Sequence, residues 1–184
     1  METVYEESYQ GYEIKVYRDE DYELPNSWGD TELFLIARHR DFTVEPPLDS
    51  TFDSVVSDYA KTHWILGLEA YIHSGVALAL SKEGSFPYRQ WDVSQLGVVF
   101  VSKKDARTRK KARELALELI ETWNDALSGS VYGYEVTFQD EVIDSCWGFY
   151  GDYERKGGLL DEAKGSIKCN RRMALDEFVH EGID

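Results

Sequence analysis

The chain has 184 residues, enough to bury a core without disulfides, and that length predicts one domain over 1–184. A composition of 42% hydrophobic and 14% aromatic residues excludes a disordered chain. The 20 Lys and Arg against 35 Asp and Glu leave a formal charge of -15, which opposes unaided binding to nucleic acid or an anionic membrane and favours a basic partner.

Tyr12, Ile14 and Val16 alternate with Glu13, Lys15 and Tyr17, a period of two that predicts a first strand. The acidic stretch Arg18 to Asp30, interrupted by Pro25, Asn26 and Gly29, has loop composition. A second strand follows over Glu32 to Arg38, with Leu33, Leu35 and Ala37 on one face and Phe34 and Ile36 on the other, so both faces are expected to be covered. Beyond Pro46 and Pro47, Ser50 is positioned to cap a helix of about three turns carrying Phe52, Val55, Val56, Tyr59 and His63. Trp64 to Ile72, a turn at His73, and Val76 to Leu80 read as two more strands, and Leu96 to Val101 as a buried one. Ser102 with Asp105 resembles a capping box opening a long helix to about Leu127, with an apolar stripe of Ala112, Leu115, Ala116, Leu119, Ile120 and Trp123, ended by Gly129. Val131 to Phe138 and Val142 to Phe149 flank Gln139 and Asp140 as a hairpin whose covered faces are expected to bury Trp147 and leave Cys146 unreactive. The tail from Leu159 is rich in helix formers and is expected to split near Gly165, with Ala174, Leu175, Phe178 and Val179 in a last short helix. The sum is an α+β fold: a mostly antiparallel sheet of about seven strands, one long helix and two or three shorter ones.

Charge is uneven along the chain. Residues 1–60 hold 15 acids and 4 bases, 61–120 hold 6 and 10, and 121–184 hold 14 and 6. The basic middle is one run, Lys103, Lys104, Arg107, Arg109, Lys110, Lys111 and Arg113, set at the helix start, where cations are disfavoured. A solvated or internally paired face is the commoner meaning of such a run. Direct nucleic-acid contact through Lys103, Lys104, Arg107, Lys110 and Lys111 is the alternative. No apolar run approaches the ~20 residues of a spanning helix, and METVYEESYQ lacks the regions of a secretion signal, which predicts a cytoplasmic protein with no membrane partner.

Motifs for catalysis are sparse. Cys146 with His73 is the one nucleophile and base pairing that a strand and a turn tip would bring together, but cysteine is among the most commonly buried residues. Asp144 and Cys146 share a strand face, and no G-x-S-x-G elbow, H-x-x-x-H pair or glycine-rich phosphate cradle is present. Asp19, Glu20, Asp21, Glu23, Asn26 and Asp30 form an oxygen-rich loop, yet their spacing lacks the central glycine and the twelfth-position acid of an EF-hand, so neither metal nor cofactor is expected. The same five carboxylates are the candidate partner contact, because an ordered acidic array imitates the charge of a DNA backbone inside a basic groove.

Four stretches, GYEIKVYRDEDYELPNSWGD (11–30), YIHSG (71–75), WDVSQLGVVFVSKKDAR (91–107) and SVYGYEVTFQDEVIDSCWGFYGD (130–152), together resemble a family of small acidic proteins of phages and mobile elements. The chain departs from that pattern at 37–50, ARHRDFTVEPPLDS. The resemblance implies an anti-defence role of the anti-CRISPR or antirestriction kind and supplies no catalytic residues. The leading expectation is thus a non-enzymatic inhibitor of a basic nuclease or other nucleic-acid-binding protein. The alternatives are a small hydrolase or nuclease using Cys146 and His73 or the acidic loop, and a phage accessory protein without inhibitory activity.

Overall fold

The computed structural model describes residues 2–47, 50–72, 75–81 and 93–181, with side chains of 93–95 and 174–181 left out of the description. The fold is α+β and its sheets are antiparallel throughout the described residues. Contacts divide the chain into two compact units, Met1–Tyr22 with Gly129–Asp184, and Glu23–Ser128.

The first unit is a four-stranded sheet backed by one helix. Its strands are β1 (Thr3–Tyr9) and β2 (Tyr12–Arg18), and β8 (Val131–Phe138) and β9 (Glu141–Tyr150), in the order β1-β2-β8-β9. Both hairpins turn through left-handed backbone: Gln10 and Gly11 at φ 54° and 87°, Gln139 and Asp140 at 52° and 66°. The period of two in β2 places Ile14 and Val16 on the face shared by Tyr134 and Val136, and the last helix, α3 (Leu159–Glu181), covers that face with Leu159, Ala163 and Ile167 at helical spacing. Lys164 reaches from α3 to Glu7 at 2.7 Å.

The second unit is a five-stranded sheet covered on both faces. Its strands are β3 (Leu33–His39), β4 (Phe42–Val44), β5 (His63–Ile72), β6 (Val76–Leu80) and β7 (Val93–Ser102), ordered β4-β3-β7-β5-β6. Helix α2 (Arg109–Ser128) lays Ala112, Ala116, Leu119, Ile120 and Trp123 on the face bearing Leu35, Leu68, Val99 and Val101. The other face gathers Phe34, Ile36 and Phe100 under Val55 of the short helix α1 (Val55–Tyr59), with Phe52 and Tyr59 alongside. Phe34 and Phe100, paired across β3 and β7, stack with centroids 4.7 Å apart. The two-sided covering expected of β3 is therefore present, as is the α2 stripe, with Leu115 only partly buried.

Several expectations are corrected. The described residues hold nine strands, because β1 and the three-residue β4 add to the seven. Among the described residues two helices are long, not one: α3 runs through Gly165 without a break. The Phe52–His63 helix shrinks to five residues, and His63 opens β5. Ser102 ends a strand and does not cap a helix; it is 1% exposed and its hydroxyl accepts the Lys104 amide. Thr108 stands at the start of α2, its Oγ1 accepting the Lys111 amide at 3.2 Å.

Candidate functional site

The face of the first unit's sheet that turns away from α3 carries the other half of each alternation. Register places Glu6 opposite Lys15 and Glu135 beyond it, with Ser8 opposite Glu13 and Thr137 beyond that. At one end of this face, Gly133 lies opposite Tyr17, and β9 bulges so that Trp147 and Gly148 together face Gly133. Gly148 takes φ 81°, and Gly133 leaves room that the Trp147 indole fills, since a Cβ there would overlap the ring. The indole continues onto Tyr17, with centroids 6.0 Å apart and planes 25° apart. Burial raises the Tyr17 phenol above its ordinary value, and the Glu135 carboxylate, which accepts its hydrogen bond, adds to the shift. Tyr17 therefore stays a neutral donor at physiological pH.

The expectation that Trp147 is packed and Cys146 covered is corrected here. Trp147 is 36% exposed and Cys146 is exposed, because β9 is an edge strand and nothing beyond it covers either residue among the described ones. They do face opposite sides: Cys146 pairs with Tyr134, on the α3 side. Asp144 is on that side too, accepting the Tyr134 hydroxyl at 2.8 Å. The thiols of Cys146 and Cys169, both exposed, are expected to react with a thiol reagent in the native state at the rate of a free cysteine, and protection of Cys146 until unfolding would contradict the exposed edge. His73, the other half of that pairing, lies outside the described residues.

The acidic loop is divided. Asp19, Glu20 and Asp21 belong to the first unit, Glu23 and Asp30 to the second. Asp19 is structural in part: Oδ1 accepts the Asp21 amide at 3.1 Å and Oδ2 the Gly148 amide at 3.2 Å, which ties the loop to the Trp147 bulge. Glu20 and Asp21 are exposed, and neither side chain has a partner among the described residues. In the second unit, Asp30 accepts the Glu32 and Leu33 amides at 2.7 and 3.2 Å and so starts β3, while Glu23 accepts the Ser27 hydroxyl. Among the described residues no three His, Cys, Asp or Glu side chains gather as a metal-binding group.

The basic run is partly absorbed by the second unit. Lys103 Nζ donates to the carbonyls of Ala60 and Lys61 at 3.1 and 3.0 Å and sits over the Trp64 ring. Lys111 pairs with Glu114 one turn on. Lys104 pairs with Glu32 at 2.7 Å; that hydrogen bond, with a second from the Ser102 hydroxyl, holds the Glu32 carboxyl below the ordinary carboxylate value of 4.5. A depressed folded pKa adds stability above the unfolded value and loses it as pH falls through the folded one. Glu32→Gln is accordingly expected to melt below the parent at about pH 7, the gap closing as pH drops under about 4.5, and a gap unchanged in acid would contradict the pairing. Arg107, Arg109 and Lys110 are exposed and have no partner among the described residues.

Site residues that sequence reasoning missed are Tyr17, Trp147 and the outward carboxylates Glu6, Glu13 and Glu135. The alternation in β2 that marked the core face also marks this one, and Gly148 beside Trp147 signals the bulge. No known protein-family profile matches the chain, and no curated protein and no solved structure matches it. No helix among the described residues is long and apolar enough to cross a membrane.

Proposed function

We propose that this protein is a non-enzymatic acidic inhibitor that occupies the DNA-binding groove of a basic nucleic-acid-handling protein, a Cas or restriction nuclease. The supporting observation is the open face of the first unit, where the stacked Tyr17 and Trp147 are bordered by Glu6, Glu13 and Glu135 across the sheet and by Glu20 and Asp21 at its end. The first unit holds 19 acids and 8 bases, a balance of -11, against 16 and 12 in the second. A Lys or Arg that normally holds a phosphate finds a carboxylate there, and the aromatic faces supply cation-π attraction and a rigid apolar anchor. Hydrogen-bonded strands set about 4.8 Å apart hold the backbones of Glu6, Glu13 and Glu135 in a fixed array. Inhibition assays against purified Cas and restriction nucleases test the reading: loss of DNA cleavage by at least one, weakened by added salt and by Glu6→Lys with Glu13→Lys, is expected. Full cleavage by all of them, or inhibition indifferent to the reversals, would overturn it.

A further inference from the structure

A hollow of about 580 Å³ opens in the second unit beside the first turn of α2. Its floor is apolar, made by Leu66 and Leu80 with the bare backbone of Gly67, and its rim is cationic, made by Arg109, Lys110 and Arg113. Ser81 stands between them; its Oγ is buried, has no hydrogen-bond partner among the described residues, and lies 2.7 Å from where a Cβ on Gly67 would be. Arg109 and Lys110 likewise have no partner among those residues.

The arrangement sets cations where a helix end disfavours them. The first turn of α2 has no acidic residue, so its cations face the positive helix end and one another, whereas α3 carries Asp161 and Glu162 in the same place. Internal pairing does not relieve it at Arg109 and Lys110, and a merely solvated basic face has no need of an adjoining apolar hollow. A dianion at the rim would answer the charges of Arg109 and Lys110, and a flat apolar body would lie against the floor at Leu66 and Leu80. The volume lies in the range of small-molecule sites.

We propose that this hollow binds a mononucleotide, with its phosphate at Arg109, Lys110 and Arg113 and its base or sugar on the apolar floor. This reading goes beyond the inhibitory surface: it uses different residues in a different unit, and neither depends on the other.

Calorimetric titration of the full chain with AMP and UMP, alongside adenosine, uridine and inorganic phosphate, tests it. A saturable one-to-one complex with AMP or UMP is expected, at least about tenfold tighter than with the matching nucleoside or phosphate alone. Arg109→Glu with Lys110→Glu should weaken it by at least about tenfold, while Arg107→Glu with Lys111→Glu, the same charge change outside the hollow, should stay within about threefold. Arg109→Gln with Lys110→Gln provides the same comparison should the double reversal disturb folding. No binding of either nucleotide at ~10 mM, equal affinity for nucleotide and nucleoside, or equal loss in both charge-reversal pairs would overturn the site. Tight binding of a single-stranded oligonucleotide that depends on Arg107 and Lys111, without mononucleotide binding, would replace it with a nucleic-acid surface.

Discussion

Trp123→Ala is expected to cost about 3–5 kcal/mol, the range for deleting a buried tryptophan. Trp123 is 1% exposed and is among the largest fully buried side chains of the second unit. Its ring meets Phe42 edge to face, with centroids 6.1 Å apart and planes at 89°, a contact that adds to the β3 ladder and buried Val44 in holding the three-residue β4. Truncation removes the transfer energy of the indole and leaves a cavity in the core cluster that also holds Leu35, Val99 and Ile120, which a sheet held between two layers closes poorly. Leu119→Ala should follow at about 2–5 kcal/mol, and Leu117→Ala, which sits 41% exposed on the same helix, should stay within about 0.5 kcal/mol. Denaturant melts of the three variants check the order. A Trp123→Ala protein within ~1 kcal/mol of the parent would mean that α2 presents a different face to the sheet.

The second large effect concerns binding. Reversing Glu6, Glu13, Glu20 and Asp21 to Lys moves the first unit from -11 to -3 while touching only exposed side chains, so the fold should persist. Against a basic nuclease at low salt, the association rate should fall by about 10- to 100-fold, with dissociation changing less, because long-range charge acts on encounter more than on close packing. Trp147→Ala should show the opposite division, a faster dissociation with little change in association, since its 36% exposed ring contributes only at contact. Stopped-flow or surface-binding kinetics at two salt concentrations separate the two. Reversal variants that associate as fast as the parent would remove the electrostatic basis of the surface.

Much of this architecture was legible in the chain because burial imposes a period. Ile14 and Val16 at spacing two, and Ala112, Ala116, Leu119 and Trp123 at helical spacing, each name a buried face directly. The misses have local causes. β1 carries Val4 and Tyr5 side by side because its register shifts between Thr3 and Tyr5, which breaks the alternation, and Glu7 points into the helix-covered side where Lys164 neutralises it. Ser102 has the residue type and following acid of a cap, yet β7 extends through it and buries it, so tertiary pairing overrides the local signal. Trp147 reads as core by hydrophobicity, but alternation from Cys146 puts it on the outward face of an edge strand, where the absent side chain at Gly133 lets it lie along the sheet onto Tyr17. The acidic loop reads as one cluster, but the fold gives Asp19 and Asp30 backbone amides to hold and divides the five carboxylates between two units. Composition located the charge and could not show which carboxylates are left unengaged.

In the proposed function the protein takes the place of DNA on a basic partner and does not hold DNA itself. A three-component gel shift measures this directly, with labelled duplex DNA, a nuclease that the protein inhibits, and the protein added last at physiological salt. The nuclease–DNA band is expected to give way to free DNA as the protein is added, the Glu6, Glu13, Glu20 and Asp21 reversals to abolish the displacement, and the protein alone to shift nothing. A band retarded by the protein without nuclease, lost on changing Lys110 and Lys111 to Glu, would contradict it and make the basic start of α2 the nucleic-acid contact.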